Sequence, residues 1–230
     1  MPSVIVLGCG RSGTNMTLEI LRGNPYFNAS KPSEVKDLFN GDKRIPDKYL
    51  TKCDTCYFNI DQLMAFMNRN SHTRAFFTIR DPRDMAMSKL RRGVPVSEGG
   101  DCAVLADDAT PSGLFADIKK TSEIIREAMN ILPFGRRSII HMENTLRGVE
   151  AMSRWMCEFI GIPYHSDMPN FPERIRVKEK RKRYDKVDKG QVALWKNWET
   201  AYDGWLKDRF DMPAIFKSLE NITQEWGYEL

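Results

Sequence analysis

Val4-Ile5-Val6-Leu7-Gly8-Cys9-Gly10-Arg11-Ser12-Gly13-Thr14 decides how the rest of the chain is read. Val4 to Leu7 is a short apolar run rich in β-branched residues, the pattern of a strand buried on both faces of a parallel sheet. Three glycines come next within six positions, and Met16, Leu18, Ile20 and Leu21 then supply the apolar residues of a helix ending near Gly23-Asn24-Pro25. Strand, glycine-rich loop and helix together cradle a phosphate. The glycines let the backbone approach the anion, and the helix N-terminus adds partial positive charge. Gly8 and Gly13 have the spacing of the G-x-x-x-x-G-K-[ST] loop, but Thr14-Asn15 stand where Lys-Ser/Thr belong. The lysine that reaches β/γ-phosphates and the hydroxyl that holds Mg²⁺ are both missing, while a cation stands earlier, at Arg11. The loop reads as a holder of one phosphate without a metal. An ordinary glycine-rich βα turn is the alternative, and Arg, Ser and Thr beside three glycines argue against it.

Outward from this stretch, apolar runs and helical periods alternate. Pro25 to Ala29 reads as a short strand, and Ser33 as the N-cap of a short helix. Lys52 to Tyr57 shows no period. Ile60, Leu63, Met64 and Met67 have helical spacing, and Arg74 to Ile79 is a second buried strand. It ends in Arg80-Asp81-Pro82-Arg83-Asp84, after which Met85 to Arg91 reads as a helix. Leu114 to Leu132, Leu146 to Ile160 and Ile215 to Thr223 read as helices, and Ser138 to Met142 as a third core strand. Residues 93–113, with four glycines and two prolines, read as a mobile loop or lid. The alternation implies an α/β fold, a central parallel sheet flanked by helices, with ligands at the carboxyl ends of the strands. Gly8–Thr14 and Arg80–Asp84 both come directly after strands and can share one crevice.

The 230 residues read as a single domain over 1–230. A net charge of +4 suits an anionic ligand without implying a general nucleic-acid binder. Five scattered cysteines imply a reducing compartment with no disulfide framework, and Cys53-x-x-Cys56 reads as two semi-buried thiols rather than a metal or redox pair. No signal peptide opens the chain and no apolar stretch approaches 18 residues, so the expectation is a soluble, cytoplasmic protein with no membrane partner. Residues 174–189 hold nine Lys or Arg against three acids. They read as a solvated face, a contact for an anionic polymer, or a strap over a nucleotide. The histidines, His72, His141 and His165, read as structural.

These motifs give the sequence a family resemblance. It resembles the sulfotransferases that use 3′-phosphoadenosine 5′-phosphosulfate (PAPS), whose fold is P-loop-NTPase-like. Gly10-Arg11-Ser12-Gly13-Thr14, with Asn15 next in the chain, is similar to the family's loop for the 5′-phosphosulfate. Arg80-Asp81-Pro82-Arg83-Asp84 with Ser88 resembles its 3′-phosphate motif, with Arg80 and Ser88 as the ligands. Lys189-Gly190 before Trp195-Lys196 resembles its C-terminal K-G-x-x-x-x-W-K segment, which returns to the 3′-phosphate. Three blocks in this order and spacing are specific where each alone is modest.

The resemblance implies sulfuryl transfer to an acceptor hydroxyl, in line and without a metal, with Arg11 and Lys52 as cations at the leaving phosphate. It implies Glu34 as the general base, at the position where glycan and tyrosyl sulfotransferases carry a glutamate. Asp54 is the rival base, two residues after Lys52, where the histidine-base cytosolic relatives carry their histidine. The sequence therefore resembles the glutamate-base type more closely. The expected acceptor is a small molecule or glycan, favouring a polar alcohol, and no nucleic-acid partner is expected. Two alternatives stay open: a P-loop nucleotide kinase or NTPase, and a non-catalytic anion or nucleic-acid binding module built on the basic run.

Overall fold

The computed structural model describes residues 1–27, 35–91, 116–171, 192–201, 206–208 and 210–230. Glu34, the Ser33 cap, the 93–113 loop, the 174–189 run, Lys189 and Gly190 lie outside the described residues.

Among the described residues the sheet has four strands, β1 (Ser3–Gly8), β2 (Leu50–Asp54), β3 (Thr73–Ile79) and β4 (Arg137–His141), all parallel, in the order β2-β1-β3-β4. The helices between and after them are α1 (Thr14–Leu21), α2 (Ile60–Arg69), α3 (Pro82–Arg91), α4 (Ala116–Ile131), α5 (Met142–Arg147), α6 (Val149–Ile160), α7 (Met212–Ser218) and α8 (Glu220–Glu225). Every residue of β1 is buried, so alternate side chains feed two separate cores. Ile5, Leu7, Ala75 and Phe77 face α2, α3, α4 and the C-terminal helices. Val4, Val6, Leu50, Phe76 and Ile140 face α1 and α6. Helices thus cover both faces, as a parallel sheet requires.

Register places the site. Gly8 lies beside Asp54, Leu7 beside Phe77, and Ile79 beside His141. All four strands therefore end level, and their carboxyl ends open onto one crevice.

Four expectations need correction. Pro25 to Phe27 form a turn, because the buried Asn24 accepts from the Tyr26 N–H at 3.0 Å and draws the chain round; the rest of that expected strand lies outside the described residues. The strand that pairs with β1 is instead Leu50–Asp54. It shows no apolar alternation because Thr51, Lys52 and Asp54 are buried polar residues. The helix expected over Leu146–Ile160 breaks at Gly148, whose φ of −155° and ψ of 73° separate α5 from α6. That expected over Ile215–Thr223 breaks at Leu219 between α7 and α8. Cys53 is a thiol, fully buried rather than semi-buried, and Cys56 is disulfide-bonded. Among the described residues no helix is long and apolar enough to cross a membrane.

Candidate active site

The loop between β1 and α1 is shaped by close approach. A Cβ on Gly8 would stand 2.4 Å from Thr78 Oγ1 and 2.8 Å from the Thr78 carbonyl oxygen, so only glycine fits against β3. Gly13 caps α1 at φ 99°, a left-handed conformation that glycine adopts without cost. Ser12 is fully buried. Its hydroxyl shares a 2.8 Å hydrogen bond with Thr78 Oγ1, and its N–H donates to the Cys9 carbonyl at 3.2 Å. Ser12 therefore fixes the loop rather than reaching outward. The first intrahelical bond of α1 runs from the Thr17 N–H to the Gly13 carbonyl, and no side chain caps the helix. The N–H groups of buried Thr14, exposed Asn15 and Met16 are left aimed past the helix end, where an anion is stabilised.

Arg11 is held at φ 79°, a left-handed conformation costing a non-glycine residue about 1–2 kcal/mol. Its side chain crosses to α3, where Nε donates to Ser88 Oγ at 2.8 Å. The loop cation and the serine of the second motif, 77 residues apart, thus meet. Lys89 also faces the loop: its Nζ lies 3.9 Å from where a Gly10 Cβ would be, and Asp54 Oδ2 lies 3.7 Å from the same point.

Lys52 and Asp54 share one face of β2, two residues apart, and both are buried. Asp54 Oδ1 accepts from the Cys56 N–H at 3.4 Å and caps the turn over Thr55–Tyr57. The Lys52 carbonyl accepts from the Val35 N–H at 3.1 Å.

The turn after β3 is a lattice of buried charges. Arg80 is 2% exposed and Ser88 4%. Arg83 grips Asp81 with two parallel bonds of 3.0 and 2.8 Å, the fork geometry that suits guanidinium and carboxylate. The Arg83 guanidinium also lies 3.4 Å from the centroid of the Trp195 ring and donates to the Glu229 carbonyl at 2.5 Å. Glu143 accepts from the Asp81 N–H at 3.0 Å and from the Tyr228 hydroxyl at 2.7 Å, and that hydroxyl lies 3.2 Å from His141 Nδ1. Burial and the Glu143 carboxylate push the Tyr228 hydroxyl far up, so it stays protonated and donates. Burial pushes His141 down toward its neutral form, against the opposing pull of Glu143.

Asp84 is fully buried. Its Oδ2 accepts from the Ala193 N–H and its Oδ1 from the Trp195 N–H, each at 2.9 Å, and Arg80 Nη2 stands 3.8 Å from Oδ2. Burial pushes its carboxyl up to about 6, against Arg80 and the two amides, which pull it down.

Of the residues singled out in the sequence, Gly10, Arg11, Ser12, Gly13, Thr14, Asn15, Lys52, Asp54, Arg80 and Ser88 all lie at the carboxyl ends of β1, β2 and β3 or on the helix after them. Thr78, Asp84, Lys89, Glu143 and Tyr228 were not read from the sequence as site residues. Their partners are remote in the chain, and no local pattern marks them. The donor set suits a ligand with anions at two ends. The α1 amides form one donor group and the turn and helix with Arg80 and Ser88 the other, and Arg11 on the loop is bonded to Ser88.

No protein-family model matches the chain, and no curated protein matches it. Solved structures match across its whole length. The sulfotransferase domain of the Synechococcus olefin synthase has a TM-score of 0.69 at 10% identity, covering 100% of this chain and 96% of that one. The sulfotransferase domain of the curacin biosynthetic pathway has a TM-score of 0.68 at 12% identity, covering 100% and 99%. The chain has the sulfotransferase fold. A third match, retinol dehydratase in complex with androsterone and the inactive cofactor PAP, gives a TM-score of 0.59 at 14% identity, covering 99% of this chain and 82% of that one.

Proposed function

We propose that the chain is a sulfotransferase, a single domain over 1–230, that moves a sulfuryl group from PAPS to an acceptor hydroxyl. The observation that carries this reading is the 2.8 Å bond from Arg11 Nε to Ser88 Oγ, which joins the phosphate loop to the helix after Arg80 in one crevice. The retinol dehydratase structure, whose PAP carries phosphates at both ends, is consistent with it.

When bound, the nucleotide supplies the sulfuryl group, whose bond to the 5′-phosphate oxygen breaks, with the electron pair going to that phosphate, as a bond to the acceptor oxygen forms. The amides of Thr14, Asn15 and Met16 hold the 5′ end, and Gly10 and Gly13 keep the backbone clear of it. Arg11 and Lys52 bear on the charge that grows on the leaving phosphate, the part that fixed cations can play where no metal is used. Arg11 remains charged throughout, so it stabilises rather than protonates. Arg80 and Ser88 take the 3′-phosphate, and the resemblance of the Lys189-Gly190 segment assigns these two residues to the same group. Glu34 takes the proton of the acceptor hydroxyl. What supports Glu34 is the position it shares in the chain with the glutamate of the glycan and tyrosyl sulfotransferases. The rival, Asp54, is already engaged in capping its turn. A glutamate base suits a polar alcohol on a glycan or small molecule.

Thermal stabilisation by PAP and by ATP, each with and without Mg²⁺, tests this. The reading expects a metal-independent shift with PAP, worth a few kcal/mol at about a hundred times Kd. A shift with Mg·ATP alone would instead establish the kinase or NTPase reading. Glu34→Gln is expected to lose 10²- to 10⁴-fold in turnover, the usual worth of a positioned base, and to keep PAP binding. Loss of turnover in Asp54→Asn with an active Glu34→Gln would transfer the role to Asp54.

A further inference from the structure

Asp84 is not a residue that a phosphate site would choose for its charge. A carboxylate beside an anion repels it, yet this one is fully buried next to Arg80. Its other partners explain its presence. Both oxygens accept backbone N–H groups, from Ala193 and Trp195, at 2.9 Å. Ala193 lies at φ 57°, left-handed for a residue with a Cβ, and the two bonds from Asp84 hold the chain there. Trp195 is held a second time from the same helix, by the Arg83 guanidinium against its ring at 3.4 Å, and a third time by the edge of Phe216. The turn over Leu194–Asn197 is therefore docked onto the start of α3 by side chains of one motif, and Asp84 joins that turn to Arg80.

We propose that Asp84 is a positioning residue of the nucleotide site: one buried carboxylate orients the Arg80 guanidinium and anchors the 192–197 segment beside it, so that the 3′-phosphate is recognised only when both are in place. This rests on the reading of Arg80 as a 3′-phosphate ligand. The charged groups acting on the carboxylate are Arg80, which favours its ionised form, and Asp81, which opposes it. Asp81 is itself neutralised by Arg83. Asparagine cannot replace Asp84, because it offers one acceptor oxygen, and its NH₂ would face the second backbone N–H.

Calorimetric titration of the wild type and Asp84→Asn with adenosine 3′,5′-bisphosphate and with adenosine 5′-monophosphate separates the possibilities. The two ligands differ only in the 3′-phosphate. Positioning predicts that the variant binds the bisphosphate tenfold or more weakly while the monophosphate changes less than about twofold. Equal losses on both ligands would reduce Asp84 to a structural role, and tighter bisphosphate binding would leave only its charge; either overturns the proposal. A wild type that binds no bisphosphate would overturn the parent reading, and this one with it. Amide hydrogen exchange in the wild type decides the matter if the variant does not fold. The Ala193 and Trp195 N–H groups are expected to gain protection with the bisphosphate and not with the monophosphate, and equal protection by both would refute the link.

Discussion

The Gly8–Gly13 loop and the Arg80–Asp84 turn both come after a central strand and both lead into a helix, yet they are built by opposite means. The loop works through its backbone: side chains are absent at Gly8, Gly10 and Gly13 or turned inward at Ser12, and only Arg11 projects. The turn works through side chains: Arg80, Asp81, Arg83 and Asp84 are all buried and pair with one another, and Arg83 and Asp84 are also held by Glu229, Ala193 and Trp195 from elsewhere. A backbone site needs shape alone and is encoded in consecutive residues. A side-chain site needs each charge neutralised, and its partners come from across the fold.

The contrast can be broken at the loop first. Gly8→Ala is expected to cost about 3 kcal/mol in chemical denaturation, since its Cβ meets the rigid Thr78 carbonyl as well as a hydroxyl. An unchanged midpoint would mean that the loop yields where it is held to be rigid. At the turn, Arg80→Met is expected to weaken PAP binding on the order of 100-fold, the worth of a charge-assisted bidentate grip, while leaving AMP binding near wild type. Asp84 sharpens the comparison through pH. Its folded-state carboxyl, at about 6, lies above its ordinary value of 3.8, so the folded protein holds the proton through that window and stability falls as pH rises through it. Between pH 4.5 and pH 7 the wild type should lose about 2 kcal/mol relative to Asp84→Asn, which does not titrate there; parallel curves would contradict the burial cost. The smallest effect belongs to Arg11. Both Arg11→Ala and Arg11→Gly should lose turnover, but the glycine variant should be about 1 kcal/mol the more stable, because it accepts the left-handed backbone.

The same contrast governs what could be read from the sequence. The loop was legible because its glycines, its cation and the strand before it are contiguous. Arg80 and Ser88 were legible as a motif, and the alternation of strands and helices gave the sheet and its crevice. β2 was not legible, since Thr51, Lys52 and Asp54 are polar residues buried at the end of the sheet, and burial of that kind leaves no periodic trace. Asp84 was visible only as part of a charged cluster. Its partners are the N–H groups of Ala193 and Trp195, which every residue but proline possesses and which no sequence pattern announces. Glu143 and Tyr228 were hidden for the same reason, 85 residues apart and joined by one hydroxyl.

The bond from Arg83 to the Glu229 carbonyl also bears on how the protein is made. The two residues are 146 positions apart, and Tyr228 reaches Glu143 just ahead of it. At synthesis rates of about 5–20 residues per second, the Arg80–Asp84 turn exists for roughly 7–30 s before the tail that braces it has been translated. Its remote partners arrive in order within that interval, Glu143 first, then Ala193 and Trp195, and the tail last, while the Gly8–Gly13 loop, bonded through Ser12 to β3, can form long before. A nascent chain stalled short of Tyr228 would carry a finished loop beside an unbraced turn.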